Sequence, residues 1–87
     1  IAVVGLGGVG MSAVLTAVAL GVESITAIDL NEEKQRQALD MGATEAMSPA
    51  EAESAGQQFT AVVEAAGHPA ALTTAWRITK AGGTTCT

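Results

Sequence analysis

The chain has no tyrosine, one phenylalanine, one tryptophan, one histidine and a single cysteine among its 87 residues. Each shortage closes a route. Without tyrosine, a Tyr-x-x-x-Lys catalytic pair is impossible within this segment. With Cys86 alone, neither a disulfide framework nor a multi-cysteine metal site can be assembled. Basic residues are also scarce: four Lys and Arg stand against nine Asp and Glu, for a net charge of −5 and a pI near 4.5. Such a balance gives no attraction to a nucleic-acid backbone or an anionic membrane, so neither is expected as a partner. No apolar run approaches the roughly 18 residues a bilayer span requires, and nothing resembles a signal peptide, so a cytoplasmic protein is expected. Internal repeats, linkers and low-complexity tracts are lacking too.

What remains is rich in apolar and small residues, 48% hydrophobic against 15% charged, with ten glycines. That fits one small packed core. The chain opens inside an apolar strand at Ile1 and closes in a second strand-like run, Thr84 to Thr87. Residues 1–87 are therefore read as part of one domain, excerpted from a longer enzyme.

The organising stretch is the first ten residues. Ile1 to Val4 has the β-branched, uninterrupted apolar character of a strand buried on both faces. A glycine turn follows with the spacing G-x-G-x-x-G at Gly5, Gly7 and Gly10. Gly5 permits the tight turn, Gly7 lets the backbone approach a pyrophosphate, and Gly10 lets the next helix lie close on the strand. Unpaired N–H groups and the dipole at that helix's N-terminus favour an anion. A glycine turn alone is a weak signal, since many bind nothing. Here a second apolar run, Ser24 to Ile28, ends in Asp29, 19 residues past Gly10. In a βαβ unit that carboxylate lies beside the glycine turn, placed to accept the adenosine ribose hydroxyls of a dinucleotide.

The rest of the chain alternates helices and strands. Val9 to Leu20 is apolar almost all round, predicting a helix covered on more than one side, with Val14, Leu15, Val18 and Leu20 as core and Gly21 as its stop. Asn31 is a candidate N-cap for a solvated second helix whose buried contacts are Ala38, Leu39 and Met41. Ala43 to Met47 is a weak third strand. Ser48-Pro49-Ala50-Glu51 carries a capping-box pattern opening a short helix closed by Gly56. Phe59 to Ala65 contains the fourth strand. A last helix starts at Pro69, has Leu72, Ala75, Trp76 and Thr79 at helical spacing, and stops at Gly82-Gly83, before a fifth strand over Thr84–Thr87. The fold class is α/β, a doubly wound parallel Rossmann sheet that reaches into strand five, with its ligand crevice at the C-terminal strand ends. Glu64 is expected to be a strand-end acid satisfied by backbone N–H groups, Cys86 a small core residue, and His68 a solvated loop histidine. No nucleophile, base and acid can be combined from this segment, and no catalytic residue or metal ligand is assigned.

Gly5-Leu6-Gly7-Gly8-Val9-Gly10, Asp29-Leu30-Asn31-Glu32-Glu33-Lys34, Leu39-Asp40-Met41-Gly42-Ala43-Thr44, Glu64-Ala65-Ala66-Gly67 and Gly82-Gly83-Thr84-Thr85 resemble the coenzyme domain of zinc-dependent, medium-chain alcohol dehydrogenases. The resemblance runs over the whole chain. It implies a six-stranded Rossmann domain of which this segment supplies five strands at most, and NAD as the cofactor. It implies that the backbone of Gly8 and Val9 faces the pyrophosphate and that the Val9 side chain lies against the nicotinamide. Asp29 would bind the ribose diol with Lys34 assisting, and Ala65, Ala66 and Gly67 would line the adenosine side of the crevice. Zinc would be held by cysteines and histidines of a substrate domain outside this chain. The parent, expected to be a homo-oligomer, would oxidise an alcohol to an aldehyde or ketone, and this segment alone would be inert. Two other readings stand beside it: the zinc-free, NADPH-using quinone reductases, against which Asp29 with no arginine just after it argues, and a non-catalytic NAD-sensing module.

Overall fold

The computed structural model describes all 87 residues. Strands β1 (Ala2–Val4), β2 (Thr26–Ile28), β3 (Glu45–Met47), β4 (Phe59–Glu64) and β5 (Thr79–Cys86) alternate with helices α1 (Gly8–Ala19), α2 (Glu32–Asp40), α3 (Pro49–Ser54) and α4 (Pro69–Ile78). The sheet is parallel throughout, in the order β3-β2-β1-β4-β5. The chain thus winds outward one way from β1, returns across it, and winds out the other way, which is the expected doubly wound Rossmann arrangement.

β1 is central and wholly buried, as its apolar run requires. Its alternation feeds two cores. Ala2 and Val4, with Ile28, Phe59 and Val62, pack under Ala52 of α3 and Ala71, Ala75 and Ile78 of α4. Val3 and Ala27 pack on the opposite face against Val14 and Ala17 of α1 and Ala38 of α2. Each fully buried Val, Leu or Ile contributes roughly 1.5–3 kcal/mol through lost apolar exposure. Thr26, buried within the sheet, donates its hydroxyl to Glu45 at 2.8 Å and so leaves no orphan polar atom.

The helix starts follow their local chemistry. Asn31 accepts from the N–H groups of Glu33 and Lys34, and Ser48 and Glu51 close a reciprocal capping box. The backbone N–H of Ser48, then its hydroxyl, holds the Glu51 carboxyl below the usual range. α3 is stapled to α4 through Glu53, which accepts from Arg77 and from Thr74, each at 2.8 Å. Those two bonds, Arg77's first, lower the Glu53 pKa.

Several expectations are corrected. Leu15 of α1 and Leu20 at its C-cap are exposed in this chain, as is Leu39 of α2, because each helix meets the sheet along one stripe only. In α4 the buried stripe is Ala71, Thr74, Ala75 and Ile78, which turns Leu72 and Trp76 outward. The helix ends at Ile78, and β5 starts at once with Thr79 pairing Phe59. Gly82 and Gly83 therefore do not stop a helix. They form an irregularity within β5, after which Thr84, Thr85 and Cys86 resume pairing with Ala61, Val62 and Val63. Gly83 lies so close to the Thr60 and Lys80 carbonyls that a Cβ there would sit 2.8 Å and 2.9 Å from their oxygens. Cys86 is exposed, since β5 is an edge strand of the sheet. No helix is long and apolar enough to cross a membrane.

Candidate functional site: the crevice at the strand ends

The C-terminal ends of β2, β1 and β4 stand side by side, and three loops leave the sheet there. Backbone bonds carry the ladder just past the strands: Gly5 N–H donates to Ile28 O at 2.8 Å, and Ala65 N–H to Val4 O at 2.8 Å. The glycine turn is therefore pinned on both sides before it rises into α1.

Its glycines separate by what surrounds them. Gly5 has φ +95°, and a Cβ there would strike Ala66 at 2.7 Å. A Cβ on Gly10 would lie 1.7 Å from the Gly5 carbonyl oxygen, so the first turn of α1 rests directly on the strand end. Gly7 and Gly8 have nothing within 4 Å of a Cβ position. Their lack of side chains is not needed by the chain's own packing; it keeps an approach to the backbone clear.

That approach leads to a free helix end. α2, α3 and α4 are each capped by a side chain, those of Asn31, Ser48 and His68. α1 has Gly7 at its N-cap and no side-chain cap. The first bonded N–H is that of Met11, to Gly7 O at 2.9 Å, which leaves the N–H groups of Gly8, Val9 and Gly10 without an acceptor. Three aligned donors at the positive end of a helix dipole form an anion seat. Val9, beside them, is 71% exposed.

Asp29, half-buried at the end of β2, accepts from Leu6 N–H at 2.8 Å through Oδ2 and from Asn31 N–H at 2.8 Å through Oδ1. Leu6 is fully buried, so the bond joins β2 to an anchored residue inside the glycine turn. Each carboxylate oxygen keeps a further lone pair for an incoming hydroxyl. Gln35 of α2 donates to the Asp29 carbonyl at 2.7 Å, fixing the same corner. Lys34, in the first turn of α2, is half-buried.

On the far side of β1, Glu64 is buried and takes the N–H groups of Ala66 and Gly67, each 2.7 Å from its Oε2. It closes its own turn, in agreement with the expectation. Ala66 and Gly67, with Gly67 at φ +76°, are exposed there. Between the two sides runs an apolar cleft floored by Val4 and Ile28 and walled by Asp29, Leu30, Pro49, Ala66 and His68. Sequence reasoning had placed Asp29 and Ala66 at the crevice but missed Leu30 and Pro49. Their signal was positional: each follows closely on the end of a parallel strand, where ligands bind. His68 is neither buried nor idle; its Nδ1 accepts from Ala71 N–H at 3.3 Å and caps α4.

Residues 8–87 match the family of zinc-binding dehydrogenases. The chain is similar to a thermostable alcohol dehydrogenase from Pyrobaculum aerophilum solved with cobalt and zinc, at 32% identity and a TM-score of 0.80 over 97% of this chain and 25% of that one. It is similar to an alcohol dehydrogenase zinc-binding domain protein from Burkholderia ambifaria, at 31% identity and a TM-score of 0.84, again over 97% and 25%. A third relative, a zinc-binding dehydrogenase by description from Sinorhizobium meliloti and bound to NADP, shares 26% identity with a TM-score of 0.87, over 97% of this chain and 28% of its own. The chain thus spans about a quarter of the length of these relatives. Both the match along its length and the agreement of its fold with theirs lead to one conclusion: this chain belongs to the zinc-binding dehydrogenase family.

Proposed function

We propose that the chain binds NAD as the coenzyme segment of a zinc-dependent alcohol dehydrogenase, which oxidises an alcohol to an aldehyde or ketone. The observation that carries the reading is the uncapped start of α1, with its open glycine approach, lying in one crevice with the Asp29 carboxylate. The N–H groups of Gly8, Val9 and Gly10 hold the pyrophosphate. Asp29 accepts the ribose hydroxyls through its remaining lone pairs, with Lys34 near in sequence to steady the charge. The apolar cleft beside Leu30, Pro49 and Ala66 seats the adenine, and exposed Val9 faces the nicotinamide. When bound, the cofactor supplies a hydride acceptor and zinc polarises the substrate oxygen.

Zinc does not fit the residues of this chain. His68 caps a helix and Cys86 stands exposed on an edge strand, so its ligands are assigned to other parts of the whole protein.

The choice of NAD over NADP follows from charge. A 2′-phosphate would meet a carboxylate whose two oxygens are already held in place by Leu6 and Asn31, so Asp29 cannot swing aside cheaply. The NADP-bound relative from Sinorhizobium meliloti supports the opposite preference. Calorimetric titration of the whole protein with both cofactors decides between them. Tighter NAD binding is expected; equal or tighter NADP binding overturns the preference. Alcohol-dependent NADH formation, measured with and without a metal chelator, tests the reaction.

A further inference from the structure

Every polar atom of Asp29 has a partner. Its N–H donates to Met47 O at 3.1 Å, its two carboxylate oxygens accept from Leu6 and Asn31 N–H at 2.8 Å each, and its carbonyl accepts from Gln35 Nε2 at 2.7 Å. Three of those partners are main-chain atoms, which a change of side chain leaves in place. Gln35 is the only side chain in the clamp.

Gln35 stands one turn into α2, and its own N–H donates to Asn31 O at 3.1 Å. Backbone and side chain of this one residue therefore reach back to both ends of the Asp29-Leu30-Asn31 corner, while Leu30 between them is 78% exposed and too open to hold it by packing. The half-buried amide ties the corner to a helix. Without it the Asp29 carbonyl has no partner, and the peptide that follows is free to turn, carrying the carboxylate and its Asn31 bond away from Leu6. Gln35 lies outside the lining of the apolar cleft. What it sets is where the carboxylate stands and how far it yields.

We propose that Gln35 is a positioning residue that sets the choice between NAD and NADP, by holding Asp29 where a ribose hydroxyl finds an acceptor and a 2′-phosphate finds a fixed charge. This rests on the reading that Asp29 takes the ribose hydroxyls and so prefers NAD. A carboxylate already in place spares NAD the cost of ordering it and denies NADP the retreat that would relieve repulsion. Both effects act on the ratio of the two affinities, which a loss of fold stability alone does not move.

Gln35→Met keeps the length of the side chain and loses the donor, and Gln37→Met makes the same change at an exposed position of α2 as a control. In the whole protein, titrated by calorimetry with NAD and with NADP, Gln35→Met should bind NAD roughly three- to tenfold more weakly, as for one neutral hydrogen bond lost, and narrow the preference for NAD over NADP. Gln37→Met should leave both affinities unchanged, and a matching shift there overturns the proposal. So does a ratio in Gln35→Met equal to or above that of wild type, which leaves Gln35 a brace of the fold. Amide hydrogen exchange of the ligand-free protein reads the same clamp directly: Leu6 N–H, the donor to Asp29 Oδ2, should exchange faster in Gln35→Met, and wild-type protection there overturns the proposal too. If wild type binds neither nucleotide, or NADP as tightly as NAD, the reading of Asp29 falls, and this proposal with it. If wild type prefers NAD, and Asp29→Ala removes the preference while Gln35→Met keeps it, only the role of Gln35 falls.

Discussion

Two carboxylates flank β1 at the C-terminal edge of the sheet, Asp29 just past the end of β2 and Glu64 at the end of β4, and each accepts two backbone N–H groups. They differ in what those groups belong to. Glu64 spends both bonds on residues two and three positions ahead, through one oxygen, and is buried. Asp29 spends one bond on Asn31 and the other on Leu6, 23 residues away, through separate oxygens, and stays half-exposed. Glu64 is thus a local closure of its own turn. Asp29 is a bridge to the glycine turn with lone pairs left over, which is what a ligand-binding acid needs. Identical chemistry gives a structural group on one side of the crevice and a candidate site group on the other, and exposure decides which.

The largest expected effect tests the ground on which both sides rest. Gly10→Val would place atoms against the Gly5 carbonyl, where even a Cβ sits at 1.7 Å, and neither atom belongs to a flexible side chain. Destabilisation of about 3 kcal/mol or more is expected by denaturant titration, at the upper end of overpacking costs. A wild-type midpoint would show that α1 does not rest on the strand end. Glu64→Ala comes next: with a buried carboxylate lost and two part-buried N–H bonds to it broken, about 1–3 kcal/mol of stability should go. Glu64→Gln, which can still accept, should recover part of it.

Asp29→Ala sharpens the contrast. Folding should suffer less than for Glu64→Ala, by about 1–2 kcal/mol, because the freed Asn31 N–H is exposed to water. Affinity for NAD should fall by roughly 1.5–3 kcal/mol per charged hydrogen bond lost, read by calorimetry. Should Glu64→Ala weaken NAD binding more than its stability loss explains while Asp29→Ala leaves it intact, the two roles are reversed. Gly7→Val should move stability by less than about 0.5 kcal/mol, since nothing lies within 4 Å of its Cβ position, yet should abolish cofactor binding. Equal binding to wild type would remove the pyrophosphate from this turn.

The smallest effect concerns acid. The folded pKa values of Glu51 and Glu53 lie below the ordinary 4.5. Stability from their bonds to Ser48, Arg77 and Thr74 is therefore fully present above that value and is lost as pH falls through the lower folded values. Glu53→Gln should flatten the melting temperature against pH below about pH 4.5 relative to wild type. An unchanged acid limb would remove the staple between α3 and α4 from the account.

Much of this was legible in the residues. The β-branched run before Gly5, the glycine spacing, and an acid ending the second strand are local signals with few structural solutions, and they sufficed for the parallel doubly wound fold and for Asp29 beside the turn. Asn31, Ser48 and Glu51 announced their caps because capping is chemistry within four residues. What periodicity could not supply was the rotation of each helix against the sheet. Leu72 and Trp76 form as good an apolar pair as Ala71 and Ala75, and Leu15 as good a core residue as Val14. Which of each pair is buried depends on how close the backbone comes to β1 and β4, and a helix lying tightly on a sheet takes alanine and valine beneath it and sends the larger side chains out. Nor could spacing show that Leu6 would be held by Asp29, or that an imidazole at position 68 would turn one nitrogen to a helix end. Those bonds join loops that are distant in sequence or fix an orientation within one, and only the assembled strand ends bring donor and acceptor to hydrogen-bonding distance.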